Sequence, residues 1–247
     1  MFCHLRLHSE FSIVDSAIRI DEVVQACVND QQGAIALTDL SNLFGALKVY
    51  KAARSKGVKP IIGAEVYISD LPFEFAAGCK VLLLVQSHQG YLNLSEVLAR
   101  AWTQNAGKTL AAVKWQWLKE LNEGLILLSG AQNGPIGQAL MQSDEHKARE
   151  TAMLMAAVFP HRFYLELQRA GRPEDEAHVG LAVQLASRLQ LPVVATHPVQ
   201  FLTPEAYDAH EARVCISEGE ILANPKRIRK FTREQYFKSQ AEMQRSE

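Results

Sequence analysis

Short runs of aliphatic and β-branched residues alternate along the chain with stretches of helical period. The runs predict strands over 2–7, 34–38, 60–68, 81–86, 124–129, 162–167 and 191–196. Between and after them the period predicts helices over 20–30, 43–56, 91–102, 136–141, 145–158, 174–189 and 204–217. Strand and helix alternating in this way imply βαβ units. The segments "AIALT", "GLILLS" and "LPVVAT" are almost continuously apolar, as expected of strands covered on both faces. Seven such strands suit a TIM-like barrel; an open doubly wound sheet gives the same alternation, and local spacing does not choose between them.

A chain of 247 residues is long enough for one large barrel or two small domains. With 48% apolar and 21% charged residues it has ordinary globular composition. No apolar run approaches the ~20 residues that span a bilayer, and the first ten residues are too polar for a signal peptide, so a cytoplasmic protein is expected. Cys3, Cys27, Cys79 and Cys215 form no CxxC pair and point to neither a zinc knuckle nor a disulfide framework. A net charge of -1 lacks the basicity of a strong nucleic-acid binder. The lapse in periodicity over 104–110 predicts a surface loop, and the polar stretch after the 204–217 helix reads as a truncated connection to something larger.

The first strand ends in "HLRLHSEFSIVDS", where alternation puts His4, Arg6 and His8 on one face. In a barrel, sites are built at such strand ends. With "ALTDLSNLFGALKVYKAARSKGVKPIIGAEVYI", "LNEGLILLSG" and "LPVVATHPVQF", and with "YLEL", "NPKRIRKF" and "QAEM" further along, the chain resembles the PHP (polymerase and histidinol phosphatase) domain at the amino terminus of bacterial DNA polymerase III alpha subunits. The resemblance covers essentially the whole chain. It implies an α/β fold, a distorted seven-stranded (β/α)7 TIM-like barrel over 1–203, followed by a helix and a connection toward polymerase domains over 204–247.

In competent members of this family about nine side chains hold a metal cluster that generates hydroxide and grips phosphate oxygens. Carried onto this chain, the first His-x-His pair falls on Arg6 and His8, and the next aspartate on Asp15. The histidine after "TD" becomes Leu40, the third-strand glutamate stays as Glu65, and the histidine entering the fourth strand becomes Lys80. Ala131 follows "LSG", and the final aspartate and histidine become Pro198 and Gln200. Only His8, Asp15 and Glu65 keep a competent donor, and a guanidinium has no usable lone pair. The expectation is therefore a dismantled metal site with no metal or cofactor in this chain, in which Arg6 pairs with Asp15 or Glu65 and Lys80 adds a second cation. His197, beside the lost pair, is expected to point away from it.

The resemblance further implies a DNA-directed DNA polymerase acting on DNA and deoxynucleoside triphosphates, with magnesium in palm sequences absent here. For this domain it implies a structural role, packing against the other alpha-subunit domains and docking the proofreading exonuclease subunit. The alternative from the enzyme class is a residual metal-dependent phosphoesterase or pyrophosphatase. Trp102, Trp115 and Trp117 are expected in the core or packing loops, and His88, His146, His161, His178 and His210 at the surface. Lys226, Arg227, Arg229, Lys230 and Arg233 form a basic cluster, either a solvated face or a contact to DNA or a neighbouring domain.

Overall fold

The computed structural model describes residues 2–75, 78–105, 111–224 and 226–246. Contacts divide the chain into a first unit, Met1–Ile61, Arg169–Pro173 and Thr196–Glu247, and a second, Ile62–Gln168 and Glu174–Ala195. Residues 196–247 thus share a unit with the amino-terminal segment.

In the first unit, α1 (Ile20–Asn29) buries Ile20, Val23, Val24 and Cys27, the i, i+3, i+4, i+7 face that the period predicts. Strand β1 (Ala34–Leu37) follows, with Ile35, Ala36 and Leu37 all buried. The segment expected as the first strand makes parallel bridges on two sides, His4 to Ile35 and Leu7 to Val199. Ala36 N–H donates to His4 O at 2.9 Å, and His8 N–H donates to Val199 O at 3.1 Å. Its backbone is thus satisfied by isolated bridges and not by a regular ladder. Helix α2 (Ala46–Ser55) buries Ala46, Val49 and Ala53.

The second unit holds most of the sheet. The strand order is β1, β2 (Lys59–Ser69), β3 (Lys80–Val85), β5 (Leu125–Leu128), β6 (Phe163–Gln168), β7 (Val193–Thr196), with β4 (Ala112–Lys114) paired to β2. The first residues of β2 belong to the first unit, where Lys59 N–H reaches Gly33 O at 2.9 Å. Helices α3 (His88–Gln104), α4 (Trp115–Glu120), α5 (Pro135–Met141), α6 (Glu145–Val158) and α7 (Asp175–Leu189) intervene.

Uniform βαβ succession fails at one place. β3 runs antiparallel to both β2 and β5, with Glu65 opposite Leu82, because residues 70–79 are too few for the crossover that a parallel pair requires. β5 and β6 are parallel, as expected. Strand β4 and helix α4 were not anticipated: "AVK" and "WQWLKE" are each too short to show a period. β7 departs from the doubly covered reading, since it ends the strand order and Val193 is 44% exposed. Most of the loop expected over 104–110 lies outside the described residues; Gln104 itself ends α3.

The carboxyl-terminal region is tightly held. After a 3₁₀ turn at Pro204–Ala206, α8 (Tyr207–Glu218) ends on Gly219 at φ +69, the left-handed cap that glycine takes without strain. Phe201 bridges Tyr236, and Phe237 N–H donates to Phe201 O at 3.0 Å. Short helix α9 (Gln240–Ser246) begins with a capping box, Ser239 Oγ accepting from Glu242 N–H and Glu242 Oε2 accepting from Ser239 N–H at 2.8 Å. Two buried histidines fasten this region: His4 Nε2 donates to Lys238 O at 2.8 Å and His197 Nε2 to Tyr236 O at 3.0 Å, with their rings 6.0 Å apart.

Burial holds these imidazoles neutral, with pKa values of about 4 for His4 and about 3 for His197, against an ordinary 6.5. The unfolded chain therefore binds more protons between those values, so stability is full above about pH 6.5 and falls as pH drops through 6.5 toward 4 and 3. In urea titrations across this range, His197→Gln is expected to flatten the decline by up to about 1.4 kcal/mol per pH unit. Identical pH slopes for variant and parent would contradict the assignment.

Candidate functional site

Each unit positions its own share of the strand-end residues. In the first, Arg6 and His8 are buried on the segment bridged to β1, and Asp15 is buried at the end of the loop that follows. That loop is bent at Ile13, which sits at φ +62 while Val14 N–H donates to Ser12 O at 2.6 Å. A β-branched residue in so tight a turn is strained. Ser16 Oγ donates to His8 O at 2.7 Å and to Gln200 O at 3.0 Å, and His210 Nε2 donates to Asp15 O at 2.8 Å.

These contacts place the Asp15 carboxylate 2.9 Å from His8 Nδ1, with Gln200 Nε2 3.5 Å from the same nitrogen. Asp15 thus pairs with His8. Arg6 is itself only 4% exposed and does not point into solvent. Leu40 contributes its backbone N–H to Ser12 Oγ at 3.0 Å, and the Pro198 carbonyl accepts from Gln235 Nε2 at 3.4 Å. Neither side chain offers a donor atom for a metal. His197, bonded to Tyr236 O, turns toward the carboxyl-terminal segment.

Asp39, the aspartate of "TD", is a residue that the sequence reading passed over. Its carboxylate accepts from Ser9 N–H at 2.6 Å, Ser9 Oγ at 2.9 Å and Ser12 Oγ at 3.0 Å. Burial pushes this carboxyl above its ordinary range, against the opposing pull of the Ser9 amide. It is a brace for the loop that carries Asp15.

In the second unit the β2–β3 hairpin sets Lys80 Nζ 2.9 Å from Glu65 Oε2. The Glu65 side chain is 2% exposed and that of Lys80 20%. Ala131 lies beside them because Gly130, at φ +85, presses its backbone onto the Lys80 carbonyl, where any Cβ would collide. Gly130 N–H donates to Glu166 Oε2 at 3.0 Å, and Gln168 Nε2 donates to Glu166 Oε1 at 3.0 Å. Glu166 is fully buried. Its signal in the sequence was a lone carboxylate inside the apolar strand "FYLEL".

Other expectations change. His178 and His210 are buried, not superficial, and burial lowers the pKa of each. Helical period hid them because each lies on the inward face of its helix among otherwise mixed residues. Trp115 and Trp117 are core residues, whereas Trp102 is 53% exposed on α3. The basic cluster is largely consumed locally: Arg227 pairs with Glu211 in a buried contact, Lys230 with Glu218, and Arg233 with Asp208. All three carboxylates stand on α8.

Residues 4–170 match the PHP domain family. The chain is 43% identical over 242 residues to the DNA polymerase III subunit alpha of Pseudomonas aeruginosa, covering 98% of this chain and 20% of that protein. It is 38% identical over 243 residues to that of Escherichia coli, covering 98% and 21%. The chain thus spans about a fifth of the length of the curated relatives it matches. Among solved structures, an amidohydrolase from Chromobacterium violaceum superposes with a TM-score of 0.51 at 13% identity, over 85% of this chain and 96% of that one, a likeness of fold alone. With the strand and helix alternation found here, this bears out the α/β fold class expected from sequence, that of the distorted (β/α)7 barrel. The chain belongs to the PHP domain family, and its sequence relatives place it with the domain of that family carried by DNA polymerase III alpha subunits.

Proposed function

We propose that this chain serves as the PHP domain of a replicative DNA polymerase alpha subunit, and that its phosphoesterase site has been converted from a metal centre into an internally neutralised structural element. The observation that carries the reading is the ammonium of Lys80 on Glu65. A glutamate that binds a metal in competent relatives here faces a fixed cation that cannot ligate one. Arg6 brings a second permanent cation into the other half of the residue set. Leu40, Ala131 and Pro198 offer no side-chain donor, and one oxygen of Asp15 is already engaged by His8. Among the described residues no group of three or more His, Cys, Asp or Glu side chains is arranged to hold a metal ion. The residues do not fit a metal cluster, and no hydrolytic step is assigned to them.

On this reading the polymerase reaction, with DNA and deoxynucleoside triphosphates as substrates and magnesium as cofactor, belongs to further domains such as the longer relatives possess, and it proceeds in the cytoplasm. The role of this domain is connective: it packs against those domains and docks the proofreading exonuclease subunit. Among the described residues no helix is long and apolar enough to cross a membrane.

The purified chain is expected to carry no stoichiometric zinc, manganese or iron by elemental analysis and to leave phosphomonoesters and DNA ends intact. Two tightly bound metals per chain, with hydrolysis abolished by His8→Ala, would establish the phosphoesterase alternative. Docking is read by titration calorimetry with the exonuclease subunit; absence of heat at tens of micromolar removes that part of the proposal.

Charge substitution has its own test. Lys80→Met takes the ammonium away from the buried Glu65 carboxylate and is expected to cost about 3 kcal/mol in urea unfolding, while the double variant Lys80→Met with Glu65→Leu recovers most of it. A single variant as stable as the parent would show that the pair is incidental.

A further inference from the structure

Helix α2 has its residue sizes reversed. The face turned to the core carries Ala46, Val49 and Ala53, all small or medium, whereas large apolar side chains face water: Leu47 at 64% exposure, Tyr50 at 50%, and Phe44, just ahead of the helix, at 71%. An ordinary surface helix puts its bulk inward and polar groups outward. The close seat of the helix explains how the reversal is accommodated. A Cβ on Gly45 would lie 2.8 Å from Leu37 Cδ2 and 3.0 Å from Ile20 Cδ1, so the helix start is pressed against the core and Phe44 projects away from it.

Leu47, Tyr50, Lys51 and Arg54 stand at i, i+3, i+4 and i+7, one continuous face. Lys51 and Arg54 are exposed. From Asp39 to Glu65 the chain has five basic residues and no acidic one between them, although its overall net charge is -1. The turn before Ile13 is tied to this helix, since Asn42 Nδ2 donates to Phe11 O and Lys48 pairs with Glu10 at 3.0 Å. An apolar stripe of this kind marks an interaction site.

We infer that the outward face of α2 docks an acidic amphipathic protein segment, whose apolar side chains at helical spacing cover Phe44, Leu47 and Tyr50 and whose carboxylates meet Lys51 and Arg54. The exposed apolar groups recur at i and i+3, the spacing that an amphipathic helix presents in a groove or face contact. A single-stranded nucleic acid requires successive aromatic platforms beside cations. Here an aliphatic leucine separates the two rings, and Lys48 is already engaged by Glu10. This inference is independent of exonuclease docking and stands or falls on α2 alone.

The test is fluorescence anisotropy of the whole chain with three labelled probes: a synthetic peptide with Leu and Phe at i, i+3 and i+7 and Glu elsewhere, its scrambled sequence, and an oligothymidylate. The patterned peptide is expected to bind with a Kd below about 100 µM at low salt. Phe44→Ser with Leu47→Ser, and separately Lys51→Glu with Arg54→Glu, are each expected to weaken it at least about tenfold. Arg149→Glu on α6, an exposed control, leaves it unchanged. Because the substituted side chains face solvent, thermal melts report whether each variant is folded, and the charge-reversal pair reads the surface even if the serine pair unfolds. Equal binding of the scrambled peptide, unchanged binding by both variant pairs, or no binding overturns the inference. Preference for oligothymidylate transfers the face to nucleic acid, and concentration-dependent dimerisation lost in the variants transfers it to a second copy of this chain.

Discussion

A carboxylate buried at a strand end must be met by a proton, a metal or a fixed partner, because the desolvated charge is otherwise too costly to keep. The fold observes this requirement by different means. Glu65 is met by the ammonium of Lys80, delivered by the antiparallel hairpin that joins their strands. Asp15 is met by the imidazole of His8, and Asp39 by a backbone amide and two serine hydroxyls. Glu166 is met by the Gly130 amide and by Gln168. These paired carboxylates hold loops and neighbouring strands in place.

Backbone carbonyls impose a parallel demand. His4, His197 and His210 each donate from Nε2 to a carbonyl oxygen, of Lys238, Tyr236 and Asp15 respectively. A neutral imidazole does this without bringing a charge into the interior, and burial keeps each of them neutral. The segment after α8 is fastened by the His4 and His197 bonds and by ion pairs to the carboxylates of α8. Its basic residues therefore contribute to internal cohesion more than to an open positive surface. On α2, large exposed apolar groups and exposed cations share one face.

Local pattern was enough for much of the fold. The apolar period of α1, the strand β5 and the length of α6 and α7 follow from neighbours a few residues apart, and such periods survive any tertiary arrangement compatible with them. Residue chemistry alone also says that Leu40, Ala131, Pro198 and the Arg6 guanidinium offer no side-chain donor to a metal, since no packing turns them into ligands. The direction of β3, the bridged course of residues 4–8 and the pairing of residues 227–233 with α8 join positions far apart in the chain. No local period encodes them. Likewise Lys80 became the partner of Glu65, and His178 and His210 became interior residues, only once helices and strands were packed. Burial and pairing at such sites are properties of the surroundings that distant segments supply, and those surroundings exist only in the folded chain.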